Sequence, residues 1–252
     1  MSRVSRAFRL TGKLIRFIIG LIIFAVIAML LWRVFSSSNP KELELLTPNE
    51  KLAAAYEEYG ESLRLFKQDQ RSITSGESNY GYFSVTQNIF IPEANQVQLL
   101  FRYNNSTIKA LESDYALEST PARSDELFEV SLVFYVDKTP DDTEDNLRDL
   151  KEMVRQGKVD AYRVYPSYCE VSEKNIYNFR KMIFDLDSAG FDLQSSLEDN
   201  TLLAVLADVY YVEDVNYDEN AYGTLCLYDY LTENIEIKPS KVGLEALETY
   251  TP

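Results

Sequence analysis

Sixteen consecutive residues, Phe17 to Trp32 (FIIGLIIFAVIAMLLW), carry no charge and no strong helix breaker beyond Gly20. Such a run must be buried somewhere, and a helix is the one local structure that satisfies its own backbone in hydrocarbon. At a rise of ~1.5 Å per residue the run covers about 24 Å, a little less than the ~30 Å apolar layer of a bilayer. Counted over residues 14–35 it reaches ~33 Å, with Arg16 and Arg33 extending toward the headgroups and Trp32, the only tryptophan, at the interface. The segment therefore predicts a transmembrane helix, with the lipid bilayer as the chain's first partner.

Arg3, Arg6, Arg9, Lys13 and Arg16 precede the span with no acidic residue among them, whereas Lys41 and Lys51 beyond it are mixed with Glu42, Glu44 and Glu50. The positive side stays in the cytoplasm, so residues 1–13 read as a cytoplasmic tail and residues 36–252 as extracytoplasmic. The same tail is drawn to anionic lipid. A cleaved signal peptide shares the basic start and apolar middle, with Val34-Phe35-Ser36 as the cut. The apolar run is longer than the usual ~7–15 residues and Arg33 adjoins the site, which favours an uncleaved signal anchor.

Of 25 Lys and Arg, six lie before residue 36 and none of the 40 Asp and Glu do, leaving residues 36–252 with a net charge of −21. A surface of that sign repels phosphate backbones, so nucleic acid is not an expected partner. No histidine occurs, which removes Ser-His-Asp and Cys-His chemistry and imidazole zinc sites. Phosphate-loop, dinucleotide and nucleophile-elbow motifs are absent as well. The residues predict no enzyme and no cofactor. Cys169 and Cys226 are the two cysteines, open either to one disulfide or to two separate buried thiols.

After a polar linker, Thr47-Pro48-Asn49-Glu50 reads as a helix start, with Thr47 as cap and Pro48 in the first position. The helix is expected to run to about Gln68. Leu52, Tyr56, Tyr59, Leu63 and Phe66 then fall at spacings of 4, 3, 4 and 3, the rhythm of a coiled-coil seam. Paired between copies, that stripe makes a homo-oligomeric stalk within residues 36–79. Packed on the chain's own sheet, it is an ordinary amphipathic face.

From Tyr80 the period becomes two. Phe83, Val85, Ile89 and Ile91 alternate with polar residues, as do Val97 to Tyr103 and Phe128 to Val136, with Pro92 to Asn95 as a hairpin turn. Thr139-Pro140 starts a short helix ending at Gly157. Strands are expected at Tyr162–Tyr168, Tyr177–Leu186, Leu202–Val212, Tyr222–Tyr230 and Ile235–Ile237. The expected fold is mainly β: a membrane helix and stalk helix, then an immunoglobulin-like β-sandwich over residues 80–252 with a helical insertion. The resemblance lies in strand number and spacing alone, since the domain has no tryptophan and no Cys…Trp…Cys signature.

Asp214, Asn216 and Asp218 place oxygen side chains at alternate positions of one turn, where they can converge on Ca²⁺. Glu219 stands where a calcium loop needs Gly, and a solvated acidic hairpin is the plainer reading. Asp185 and Asp187 match such a loop less well, with Ala189 at the fifth position. Asn104-Asn105-Ser106-Thr107 holds overlapping glycosylation sequons. Eighteen tyrosines, six of them from Tyr210 to Tyr230, suit either sheet surfaces or a binding face. The expected function is an extracytoplasmic binding module for a protein or glycan. The alternatives are an assembly subunit of an envelope complex and a carboxylate enzyme acting on glycan.

Overall fold

The computed structural model describes residues 3–38, 46–71, 83–119, 128–138, 150–173, 176–211, 221–229, 238–239, 247 and 250. The chain divides into two compact units, one ending at Pro40 and the other beginning at Lys41. The first holds a single helix, α1 (Arg3–Ser38). Within it Ile15–Phe35 is long and apolar enough to cross a membrane, and none of that stretch is buried. Trp32 is 76 % exposed.

The second unit is mainly β. In chain order it contains α2 (Glu50–Tyr59), β1 (Phe66–Arg71), β2 (Ser84–Ile91), β3 (Gln96–Asn104), α3 (Asn105–Asp114), β4 (Phe128–Asp137) and α4 (Leu150–Arg155). There follow β5 (Val159–Val164), β6 (Pro166–Glu173), β7 (Tyr177–Asp185), α5 (Leu193–Glu198), β8 (Leu202–Tyr211), β9 (Gly223–Asp229) and β10 (Lys238–Pro239). Among the described residues these strands form two antiparallel sheets, ordered β10-β1-β2-β3-β7-β6 and β5-β4-β8-β9.

One core draws on the apolar faces of both sheets: Leu99, Phe101 and Met182 from the first, and Phe128, Leu132, Phe134 and Val209 from the second. Phe128 is its aromatic centre, edge-on to Phe83 and Tyr103 with ring centroids 5.0 Å away in each case. Edge-to-face pairs of this kind set positive ring edges on negative faces. Two smaller cores cover the outer faces. Leu52 and Ala55 of α2 pack on Ile89 and Ile91, while Leu150, Met153 and Val154 of α4 pack against Val133, Tyr135 and Leu203.

A register shift between Val85 and Gln87 redistributes β2. The extra residue turns the strand over, because side chains alternate faces with period two. Phe83 and Val85 therefore enter the central core, whereas Ile89 and Ile91 go to the opposite face beneath α2, and Phe90 replaces them inside. The hairpin at Pro92–Ala94 is a 3₁₀ turn closed by Asn95 at φ 44°, a left-handed position that Asn tolerates.

The expected stalk helix is shorter and differently used. Its cap is Asn49, whose side chain accepts from the Leu52 amide, rather than Thr47. Gly60 at φ 55° ends it after Tyr59, and Phe66 belongs to β1. The Leu52–Phe66 stripe is thus not one helical seam: Leu52, Leu63 and the half-buried Tyr56 pack into the unit's own outer core, Phe66 joins the central one, and Tyr59 is exposed. Residues 162–168 are likewise two strands that change sheets at Tyr165. The Asn104 sequon is the start of α3, where Asn104 accepts from the Ser106 and Thr107 amides in a capping box. Of the expected helix before Gly157, residues 150–155 are described.

Candidate functional site

The change of sheets at Tyr165 opens the edge of the unit. β5 pairs with β4 only from Leu132 onward, so on that side Phe128 to Ser131 have no neighbouring strand among the described residues. β6, leaving in the other direction, is the last strand of its sheet among the described residues. Between them lies a cleft of about 530 Å³. That volume is within the ~300–1,000 Å³ of small-ligand sites. Phe128, Val130, Pro166 and Met182 give it apolar walls, and Glu129, Tyr165 and Cys169 line its exposed mouth.

Arg180 forms the floor at 3 % exposure. Its guanidinium lies 4.0 Å above the Phe128 ring and 5.7 Å from that of Tyr103. A weakly hydrated planar cation is well suited to such a seat, where the ring quadrupoles offset part of its desolvation. From β7 it reaches across to the opposite sheet and donates from Nη1 to the Phe128 carbonyl oxygen. That bond satisfies a main-chain acceptor near the end of β4. The sequence carried a signal for it: the alternation of β7 places Arg180 with Met182 and Phe184, a charge on an apolar face.

A second polar group lies on the outer face of the other sheet. Arg163 Nη1 donates to Ser131 Oγ at 2.6 Å and to Tyr210 OH at 2.8 Å, and sits 3.1 Å from Asp208 Oδ2. Asp208 Oδ1 accepts from Thr224 Oγ1 at 2.8 Å. Burial and the neighbouring Asp208 push the Tyr210 phenol up to about 12. Burial pulls Arg163 down, but Asp208 and Tyr210 outweigh it and leave the guanidinium a stronger base than usual. The side chains fix one another, with Tyr210 neutral and Arg163 charged at physiological pH.

A third cluster meets the acidic loop. Lys51 Nζ of α2 lies 2.5 Å from both Asp185 Oδ1 and Asp187 Oδ2. Asn95 Nδ2 donates to Asp187 Oδ1 and to the Phe191 carbonyl oxygen, each at 2.6 Å, while its Oδ1 accepts from the Leu193 amide. The hydrogen bonds from Lys51 and Asn95 hold the Asp187 carboxyl below its ordinary range. The cation held by Asp185 and Asp187 is therefore an ammonium of the chain itself.

Asp214, Asn216 and Asp218 lie outside the described residues, as do Tyr217 and Tyr230. Among the described residues no three Asp, Glu, Cys or His side chains gather as a metal-binding group. Cys169 and Cys226 are both thiols rather than a disulfide. The fold keeps them apart: Cys169 is on β6, an end strand of one sheet, and Cys226 on β9, an end strand of the other. Arg16, Trp32 and Arg33 all lie on α1, at the two ends of the apolar stretch. Tyr210 and Tyr211 are buried sheet residues. Comparison with known protein families, curated proteins and solved structures finds no match.

Proposed function

We propose that the chain is a single-pass membrane protein, N-terminus in the cytoplasm, whose β unit works outside the membrane by binding a protein or glycan. The observation that carries this reading is α1: Ile15–Phe35 is 21 residues charged only at Arg16 and Arg33, with no part buried, joined to a β unit that closes its own core. A helix so exposed needs lipid around it. Arg3, Arg6, Arg9 and Lys13 before the span and Arg16 at its start, with no acid among them, support the inward orientation of the N-terminus.

Strand order supports an immunoglobulin-like sandwich for the β unit. β2, β3, β7 and β6 occupy the places of strands A, B, E and D, and β4, β8 and β9 those of C, F and G, with β5 beside β4 as in variable-type domains. The antibody-type disulfide has no counterpart, since β3 and β8 contain no cysteine. Such domains bind through edges and loops, and the cleft beside β6 is a concave, largely apolar site at an edge. The oligomerising-stalk alternative loses its sequence support, because Leu52 and Leu63 face the unit's own core.

The test is protease treatment of intact cells carrying a C-terminal tag, with the full chain in neutral nanodiscs as bait for envelope extract. The β unit should be digested from outside and a partner retained. Digestion only after lysis, or recovery of the chain without detergent, overturns the topology. Retention of no protein or glycan overturns the binding role.

A further inference from the structure

Resting on that binding role, we propose that the open edge of β6 takes up an extended cationic segment of a partner protein as an added strand, with one of its apolar side chains seated in the cleft. A terminal strand offers a row of main-chain donors and acceptors, the basis of recognition by strand addition. β6 is eight residues long, terminal in its sheet among the described residues, and exposed from Ser167 through Glu170. No inward-pointing lysine blocks it, and Pro166 sits only at its first position.

The two faces of β6 define the segment's alternation. Cys169 faces the cleft with its cross-strand neighbour Met182, and a guest residue beside it meets Phe128, Val130 and Met182. An aromatic or large aliphatic side chain matches those walls, above the buried Arg180. Glu170, one position on, lies exposed on the opposite face beside its cross-strand neighbour Lys181, while Glu173 shares the face of Cys169 and Glu129 lines the cleft mouth from β4. Lysine or arginine at an alternate guest position pairs with Glu170 across the strands. The net charge of −21 beyond residue 35 attracts such a segment and repels a second copy of the chain.

The experiment uses the full chain in phosphatidylcholine nanodiscs and a fluorescein-labelled heptapeptide, Lys-Val-Lys-Phe-Lys-Val-Lys. Anisotropy should show saturable binding, and hydrogen exchange should slow at residues 167–173 and 128–131. A peptide of the same charge with both valines replaced by proline should bind at least tenfold more weakly. Cys169→Trp, which fills the cleft mouth, and Glu170→Lys, at an exposed position, should each weaken binding tenfold or more. Equal binding of both peptides, unchanged affinity in both variants, or protection elsewhere would mean attraction by net charge alone and overturns the site. Light scattering that reports a dimer through β6 assigns the edge to a second copy and overturns it too. A natural partner retained equally by the wild type and both variants removes this site while leaving the binding role intact.

Discussion

Two stretches of the chain are nearly equally apolar and meet opposite fates. From Ile15 to Phe35 the side chains of α1 are exposed, whereas those of β8 (LLAVLADVYY) are buried on both faces apart from the half-buried Leu206. Apolarity sets the need for burial, and length sets where it is met. Ten strand residues fit between the central core and the patch beneath α4. The 21-residue helical stretch, charged only near its two ends, is about 32 Å long and matches a bilayer instead.

Two phenylalanines separate these environments most clearly. Phe128 is fully enclosed, while Phe24 is 72 % exposed on α1. Phe128→Ala should lower the stability of the β unit by about 3–5 kcal/mol, the usual loss for a buried ring. Phe24→Ala should leave it unchanged. Urea unfolding of the full chain in detergent, followed by circular dichroism, reads both, and comparable losses would show that α1 belongs to the same cooperative core.

Within β8 itself the comparison sharpens at its one charged residue. Asp208 is buried, and removing it strands the Arg163 guanidinium, whose side chain is about a quarter exposed. Breaking a fully buried pair costs about 3–5 kcal/mol, so Asp208→Ala should cost about 2–3 kcal/mol after allowing for that exposure. The same network governs alkaline behaviour. With its folded value raised, Tyr210 keeps its proton in the native state while the unfolded chain releases it near pH 10. Its contribution is complete below about pH 10 and is lost as pH rises toward about 12. Tyr135 is raised as well, by burial and then by Asp208, so the late part of the tyrosinate absorbance at 295 nm should move lower in Asp208→Ala and should shrink in Tyr210→Phe, which isolates Tyr210. An unmoved titration would separate Tyr210 from the network.

How much was legible follows the same division. The membrane-length helix and β8 were readable as nearly continuous apolar runs, and β2, β3, β4, β7 and β9 as strands from their alternating or apolar-rich stretches between turn signals. β1 was hidden, since Phe66 continues the 4-3 spacing of α2 although Gly60 has already ended the helix. α3 was hidden behind a sequon whose Asn104 is a helix cap. The turnover of β2 depends on one inserted residue that no periodicity reveals. The cleft depends on β5 and β6 separating at Tyr165, where the sequence shows a single continuous run. The lining side chains were visible in the sequence; their meeting depended on topology.

The smallest expected effect concerns α2, once its apolar stripe is seen to face inward. Leu52 and Ala55 attach it by burial, and the Lys51 bridge to Asp185 and Asp187 adds to that. Asp187 is mostly exposed and the ammonium about a third exposed, so solvent screens the bridge and each pair is worth ~0.2–1 kcal/mol. Asp187, depressed in the fold, contributes above the ordinary carboxylate pKa of about 4 and loses its contribution as pH falls below it. Burial lowers Lys51, but its two carboxylates raise it further, so its contribution is complete below about pH 10.4 and is lost as pH rises beyond. The bridge is therefore whole across the neutral range and fails from either end. Lys51→Met should lower stability by no more than about 1 kcal/mol at pH 7, with the difference from wild type shrinking by pH 3. A difference that stays constant to pH 3 would show that the charge of Lys51 does not set it.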